Sequence, residues 1–380
     1  MFKQNLASSR PAEQLSKHDA AITVLGAGNG GAALAAFLTT QGYQVVLYEL
    51  PRFRQNITDL CQQNAIEATG IINGTCKLAL VTDDIQAALS TAQVVFVVTH
   101  AAAHAELAKI SAPFLKNAQT VALCPGYPGG LLEFLSVLNQ NGCKANFLPV
   151  EFSVLPFPCL RKGMSVEIKG QKEVIMAAAY PSSRTGEALA ILRPFFPTLI
   201  PAQNILATGL NETNIFIHSV IALFNIGRVE GKQPWKFYAE GCTPAIGKLI
   251  EELDAERLML MRALGLNSES LAFWLKKFYN SQGMTGNDIY QLLTNFPPFQ
   301  KTAGPQSVMH RYFSEDIAFG LVPLVELGNK LSTPVPLMES LLKLAESLTG
   351  INYRATGRTL GKMGLGNLDG PQLRKHLKKI

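Results

Sequence analysis

In the first half of the chain, apolar residues fall in short continuous runs, separated by stretches where they recur every three to four positions. The runs predict strands over 22–25, 44–48, 78–82, 93–98, 120–123, 146–149, 166–169 and 174–179. The periodic stretches predict helices over 30–41, 52–64, 84–90, 101–115 and 129–141. Strands that are apolar throughout and alternate with helices predict a mostly parallel, doubly wound α/β sheet covered on both faces. After about residue 200 the strand signal fades, and helices are predicted over 204–228, 244–264, 268–281, 285–295, 314–331 and 335–348. Thr243-Pro244 reads as an N-cap followed by proline at the first helical position. Leu337, Leu341, Leu344 and Leu348 line one stripe that Gly350 can end. The pattern divides the chain into a polar leader (1–19), an α/β domain (20–200), an all-helical domain (201–366) and a basic tail (367–380). An active site between the two domains is the expectation.

The first strand, Ile22-Thr23-Val24-Leu25, runs into Gly26-Ala27-Gly28-Asn29-Gly30-Gly31, where Gly26, Gly28 and Gly31 have the G-x-G-x-x-G spacing between strand and helix. That spacing predicts a dinucleotide pyrophosphate site. Gly26 permits the tight turn, Gly28 lets backbone approach phosphate, and Gly31 lets the helix pack closely. The helix N-terminus at Asn29 and Gly30 offers N–H groups to the anion. The second strand ends at Glu49, 18 residues after Gly31, where a carboxylate accepts from ribose hydroxyls. Glu49 favours NAD(H). Arg52 and Arg54 follow at once and keep NADP(H) possible, although they also read as a solvated pair. Thr99, His100, Pro125 and Gly126 follow later strands, at the carboxyl edge where ligands bind.

The chain has 380 residues, 47% hydrophobic and 16% charged, enough for two domains with proper cores. Part of the net charge of +6 sits in the tail at Arg374, Lys375, Lys378 and Lys379. No basic and aromatic stripe accompanies it, so a solvated terminus is expected and nucleic acid is not. The six cysteines form no C-x-x-C pair, which fits reduced thiols in a cytoplasmic protein. No apolar stretch suits a membrane span. His100 and His104 stand four apart, but the one carboxylate nearby, Glu106, faces elsewhere on the helix, so no metal is expected and His100 reads instead as lining the cofactor pocket. Monomer and homodimer both remain open.

Asn214, His218 and Asn225 share one face of an otherwise apolar helix. Each polar group is either satisfied inside the core or part of a site, and three in line favour the site. His310 to Asp316 forms a second constellation. Arg311 suits bidentate binding of a carboxylate. Asp316 falls in the first turn of a helix that Ser314 can cap, where it either complements the helix dipole or orients a histidine.

Taken together, GAGNGG, CPGYPGG (124–130), LPFPCLRKG (155–163), NIFIHSVIALFNIGRVE (214–230), EGCTPAIGKLIEELDAER (240–257), RYFSEDIAFGLVPLVELG (311–328) and NYRATGRTLGKMGLG (352–366) resemble the opine dehydrogenases, the octopine/nopaline dehydrogenase family. The resemblance covers nearly the whole chain. It implies a Rossmann domain followed by a helical one like that of 6-phosphogluconate dehydrogenase. It also implies NAD(P)H-dependent reductive condensation of an amino acid with a 2-oxo acid through an imine. By similarity, His218 is the general acid/base, Asp316 its partner, Arg311 the holder of a substrate carboxylate, and Asn214 a positioning group. Thr99-His100 stands where relatives often carry proline. The alternatives are a dehydrogenase of the glycerol-3-phosphate or ketopantoate type, whose interface lysine has no counterpart on this polar face, and a non-catalytic dinucleotide sensor.

Overall fold

A computed structural model describes residues 21–377 and 380. The leader 1–19, Lys378 and Lys379 lie outside the described residues. The chain divides into two compact units. The first runs to Ile205, less two short loop pieces, 100–102 and 127–129, which belong to the second with 206–380.

Among the described residues the first unit holds two sheets. Twelve strands are named here in chain order: β1 (Ala21–Leu25), β2 (Gln44–Tyr48), β3 (Ala65–Gly70), β4 (Gly74–Lys77), β5 (Leu80–Thr82), β6 (Val94–Val97), β7 (Thr120–Leu123), β8 (Leu148–Phe152), β9 (Cys159–Lys162), β10 (Ser165–Ile168), β11 (Ile175–Ala179) and β12 (Leu199–Pro201). The main sheet has the order β12-β11-β8-β7-β6-β1-β2-β5. Its strands are parallel except where β11 meets β8. Central strands such as β6 and β7 are buried at every residue, as a sheet covered on both faces requires. Strand order reverses at β1, between β2 and β6, and the glycine-rich loop leaves the sheet at that switch point.

The second sheet, β4-β3-β10-β9, alters the expected plan. The run at 166–169 falls here rather than in the doubly wound sheet. β10 pairs parallel with β3, across about a hundred residues of sequence. This sheet lies against the 29–40 helix. The helix buries Gly31, Ala32, Ala33, Leu34, Ala35, Ala36 and Leu38, and its small side chains let both sheets approach it.

The second unit is helical. The helix expected over 204–228 is three, Ile205–Leu210, Asn214–Phe224 and Ile226–Gly231. At the first break the buried Arg257 guanidinium donates to Leu210 O and Asn211 Oδ1, while Asn211 Nδ2 donates to Ala207 O. Side chains thus take over groups that a continuous helix would pair. The helix expected over 314–331 is also divided. A short helix, Arg311–Ser314, is followed by a π-helical turn, Asp316–Leu321, and a regular helix, Val322–Leu331. The basic tail is not simply solvated. It forms the helix Gly370–Leu377, which buries Leu373 and Leu377 and packs on the 322–331 helix. Among the described residues no helix is long and apolar enough to cross a membrane.

Candidate active site

Three glycines of the loop meet different constraints. Gly26 has φ +110°, and a Cβ there would lie 2.4 Å from Val98 O. A Cβ on Gly31 would lie 1.7 Å from Gly26 O, so the helix start touches the loop backbone. Gly28 has no neighbour within 4 Å of such a Cβ and is exposed, so its backbone is open to a ligand. Gly28 is also the N-cap of the 29–40 helix and supplies no capping side chain. The first N–H groups of that helix therefore lack the usual cap and point at the same opening.

Glu49 is buried, and its carboxylate accepts from Ala27 N at 3.2 Å and from Leu50 N at 2.9 Å. The acid expected at the ribose is thus bound to the glycine loop itself. Thr99 presses its methyl against Gly26, and its buried Oγ1 has no hydrogen-bond partner among the described residues. An open Gly28, an uncapped helix start and an orphaned hydroxyl together fit a dinucleotide. Arg52 and Arg54 are exposed and paired with acids, to Glu106 at 2.6 Å and to Asp83 at 3.2 Å. His100 is exposed and Pro125 half-buried, while Gly126 is required by packing, since a Cβ there would lie 2.1 Å from Glu151 Oε2.

The sequence reading missed Arg161, on β9. Its guanidinium donates to Ala27 O, Asn56 O and Gly163 O, and its N–H donates to Asn29 Oδ1. One side chain ties the glycine loop to the turn after β2.

In the second unit, residues 98 positions apart meet. His218 Nδ1 lies 3.0 Å from Asp316 Oδ2, with both groups buried. Asp316 Oδ1 accepts from the Tyr127 hydroxyl at 2.7 Å. That hydroxyl accepts from Arg311 at 3.0 Å, and Arg311 Nε donates to Glu315 at 2.7 Å. Glu315 accepts from Ala101 N at 2.7 Å. The Tyr312 ring lies 4.1 Å from the imidazole, centroid to centroid, and the Tyr238 hydroxyl is 3.1 Å from Nε2. Tyr312 and Glu315 lie in the His310–Asp316 constellation and Tyr127 in the CPGYPGG motif without having been given a role, while nothing in the sequence set Tyr238 apart from a core residue.

Burial opposes the charge on Asp316, but the His218 bond, the nearby positive charge and the Tyr127 hydroxyl outweigh it and hold the carboxyl below its usual range. Burial lowers His218, against the pull of Asp316, so the imidazole is neutral at pH 7. Its Nδ1 proton then points at the carboxylate, and Nε2 carries the lone pair. Burial pushes Tyr127 well up, so it stays a neutral donor. Arg311 is held charged, because Glu315, Tyr127 and Asp316 outweigh its desolvation.

Two expectations fail locally. Ser314 does not cap the helix of Asp316. His310 caps the 311–314 turn by accepting from Tyr312 N, while Ser314 Oγ donates back to His310 O. Burial and the Arg311 charge lower His310 to about 4, which keeps it neutral for that role. Asn225 is no part of the site, since it ends the 214–224 helix and donates to Ile221 O and Gly241 O. Asn214 opens that helix one turn before His218 and is half-buried.

Comparison with known proteins decides the family. An opine dehydrogenase from Arthrobacter sp. (strain 1C) is 36% identical over 354 residues, 92% of this chain and 97% of that one. The chain belongs to the opine dehydrogenase family. Residues 201–349 match the family described as NAD/NADP octopine/nopaline dehydrogenase, alpha-helical domain. Residues 21–147 match the NAD-dependent glycerol-3-phosphate dehydrogenase N-terminus. The fold matches an octopine dehydrogenase solved with NADH and L-arginine (TM-score 0.73, 19% identity, 91% of this chain and 96% of that one). It also matches a yersinopine dehydrogenase with NADP+ (TM-score 0.67, 16% identity, 95% and 98%). The chain is accordingly an NAD(P)-dependent oxidoreductase acting on CH–NH bonds by reductive condensation.

Proposed function

We propose that this opine dehydrogenase joins the amine of an amino acid to a 2-oxo acid through an imine, with His218 as general acid/base and Asp316 orienting it. The observation that carries this reading is the buried 3.0 Å bond between His218 Nδ1 and Asp316 Oδ2. The amine must lose a proton before it attacks the carbonyl. The carbinolamine must then gain one on its hydroxyl, which leaves as water. A histidine whose tautomer is fixed serves both steps through Nε2.

Arg311 suits a substrate carboxylate. Two of its five N–H groups bind Glu315 and Tyr127, and its side chain is one-third exposed. Asn214 is one helical turn away from His218, where it positions substrate or the imidazole. In this reading residues 20–200 bind the dinucleotide and 201–366 carry the acid/base machinery. Gly26, Gly28, Gly30 and Gly31 form the phosphate loop, with Asn29 fixing it to β9, while Glu49 takes ribose and Thr99 lies beside the loop. When bound, the dinucleotide supplies the hydride that reduces the imine carbon. NAD(H) is favoured, because Glu49 lies at the loop and Arg52 and Arg54 already hold acids; NADP(H) stays possible.

The test is oxidation of NADH and of NADPH with pyruvate, 2-oxoglutarate or glyoxylate, with and without a panel of amino acids. Oxidation that requires both an oxo acid and an amine is expected. Oxidation with an oxo acid alone contradicts the reading.

A further inference from the structure

We propose that Tyr238 is a second proton-transfer residue, whose hydroxyl passes protons between His218 Nε2 and the substrate. The proposal rests on the acid/base role of His218 proposed above. Nδ1 of His218 is committed to Asp316, so every proton the imidazole exchanges passes through Nε2. The Tyr238 oxygen lies 3.1 Å from that nitrogen. A phenol donates to the neutral imidazole and accepts from the imidazolium, so the contact survives both protonation states.

The hydroxyl is placed by packing of its ring. Tyr238 stacks on Phe299 with centroids 4.5 Å apart and meets the edge of Phe237 at 5.0 Å. Phe237 N donates to Thr302 O at 2.8 Å, which anchors the start of the 237–241 helix. Tyr312 covers one face of the imidazole and Phe237 approaches it edge-on. The ionisable groups facing Tyr238 are Tyr312, Tyr279, Asp316, Arg311 and His218. Burial, reinforced by Tyr312, Tyr279 and Asp316 and opposed by Arg311, keeps the Tyr238 hydroxyl protonated. A concerted relay suits such a group, because the phenol is neutral before and after each transfer.

In the dehydrating step the Nε2–H bond of the imidazolium breaks and its proton passes to the Tyr238 oxygen. The tyrosine's own proton passes to the carbinolamine hydroxyl. The C–O bond breaks with its electron pair, water leaves, and the nitrogen lone pair forms the iminium C=N bond. His218 ends neutral and Tyr238 is unchanged. In the earlier step the two protons move the other way, from the substrate ammonium to Tyr238 and from Tyr238 to Nε2.

Tyr238→Phe keeps the ring and removes the hydroxyl. The measurements are steady-state kinetics with an oxo acid and an amine, a proton inventory in H2O/D2O mixtures, NADH binding by fluorescence, and a thermal melt. The relay predicts that kcat falls about 10²-fold. Tm and the NADH Kd hold, and the inventory changes from the curve of two moving protons to the line of one. A kcat within about threefold of the parent, a rise in kcat, or an unchanged inventory overturns it. Should the variant fail to fold, 3-fluorotyrosine at position 238 keeps the shape and acidifies the hydroxyl. The relay predicts an altered kcat there with the two-proton curve retained, and a packing role predicts an unchanged kcat. The two readings fail separately. A parent enzyme without amine-dependent oxidation sinks the proposed function. An inactive His218→Ala beside a fully active Tyr238→Phe sinks only the relay.

Discussion

Asp316→Asn tests the orienting carboxylate at nearly constant shape. The parent carboxylate accepts twice, from His218 Nδ1 and from the Tyr127 hydroxyl, and has no access to water. Asparagine has one oxygen for two donors. If that oxygen stays with Tyr127, the amide NH2 faces Nδ1 and forces the imidazole proton onto Nε2. The base is then lost at the only nitrogen left for substrate. The carboxylate also stabilises the imidazolium, by about 4 kcal/mol for charges about 4 Å apart at an effective dielectric of about 20. At about 1.4 kcal/mol per tenfold, that amounts to a loss of about 10³-fold in kcat. Stopped-flow NADH oxidation under saturating oxo acid and amine reads it. The NADH Kd, measured by fluorescence, should stay within about twofold, because Asp316 lies in the second unit and the glycine loop in the first. A kcat within about threefold of the parent, in a variant that melts normally, refutes the dyad.

Three further outcomes follow from the geometry. Gly28→Ala should leave Tm unchanged and weaken the dinucleotide, because a Cβ there meets nothing within 4 Å, whereas Gly31→Ala should lower Tm, because its Cβ meets Gly26 O at 1.7 Å; equal melts for the two would contradict this. Glu49→Gln should weaken NADH more than NADPH, by about tenfold for the loss of a charged hydrogen bond, and equal losses in Kd would remove Glu49 from the ribose. Because burial lowers His218 and its neutral form is the base, kcat/KM should hold as pH falls to 6.5 and decline only below it; a limb centred above 6.5 contradicts the assigned state.

What the sequence reveals here is local. Gly26 and Gly31 were legible because each meets backbone that leaves no room for a side chain and Gly28 because it completes their spacing in an open loop, and β1, β2 and β6 because strands of a sheet covered on both faces read as nearly continuous apolar runs, broken only by Thr23 and Gln44. The second sheet showed only as the run at 166–169. β3 mixes buried and exposed residues in a run of six, β9 is four residues that are half-buried or exposed, and the β3–β10 pairing is remote in sequence. The helix breaks at 211–213 and 315 depend on side chains that arrive from elsewhere, as Arg257 does, or on a π-helical turn that leaves no residue signature. His218 and Asp316 were recognisable as chemical types, yet nothing in 98 residues of spacing says that they touch. Tyr127 and Tyr238 look like any core tyrosine until the fold places their hydroxyls on Asp316 and His218. Arg161 sits in an ordinary hairpin, and only the second sheet brings it to Ala27 and Asn56.

The central claim is that one molecule of product takes its nitrogen from an amino acid and its hydride from the dinucleotide. The direct measurement is mass spectrometry of the product formed from a ¹⁵N-amino acid, an unlabelled 2-oxo acid and NADH or NADPH deuterated at the transferring position. A secondary amine dicarboxylate carrying both ¹⁵N and one deuterium is the predicted result. A deuterated 2-hydroxy acid free of ¹⁵N would contradict the account.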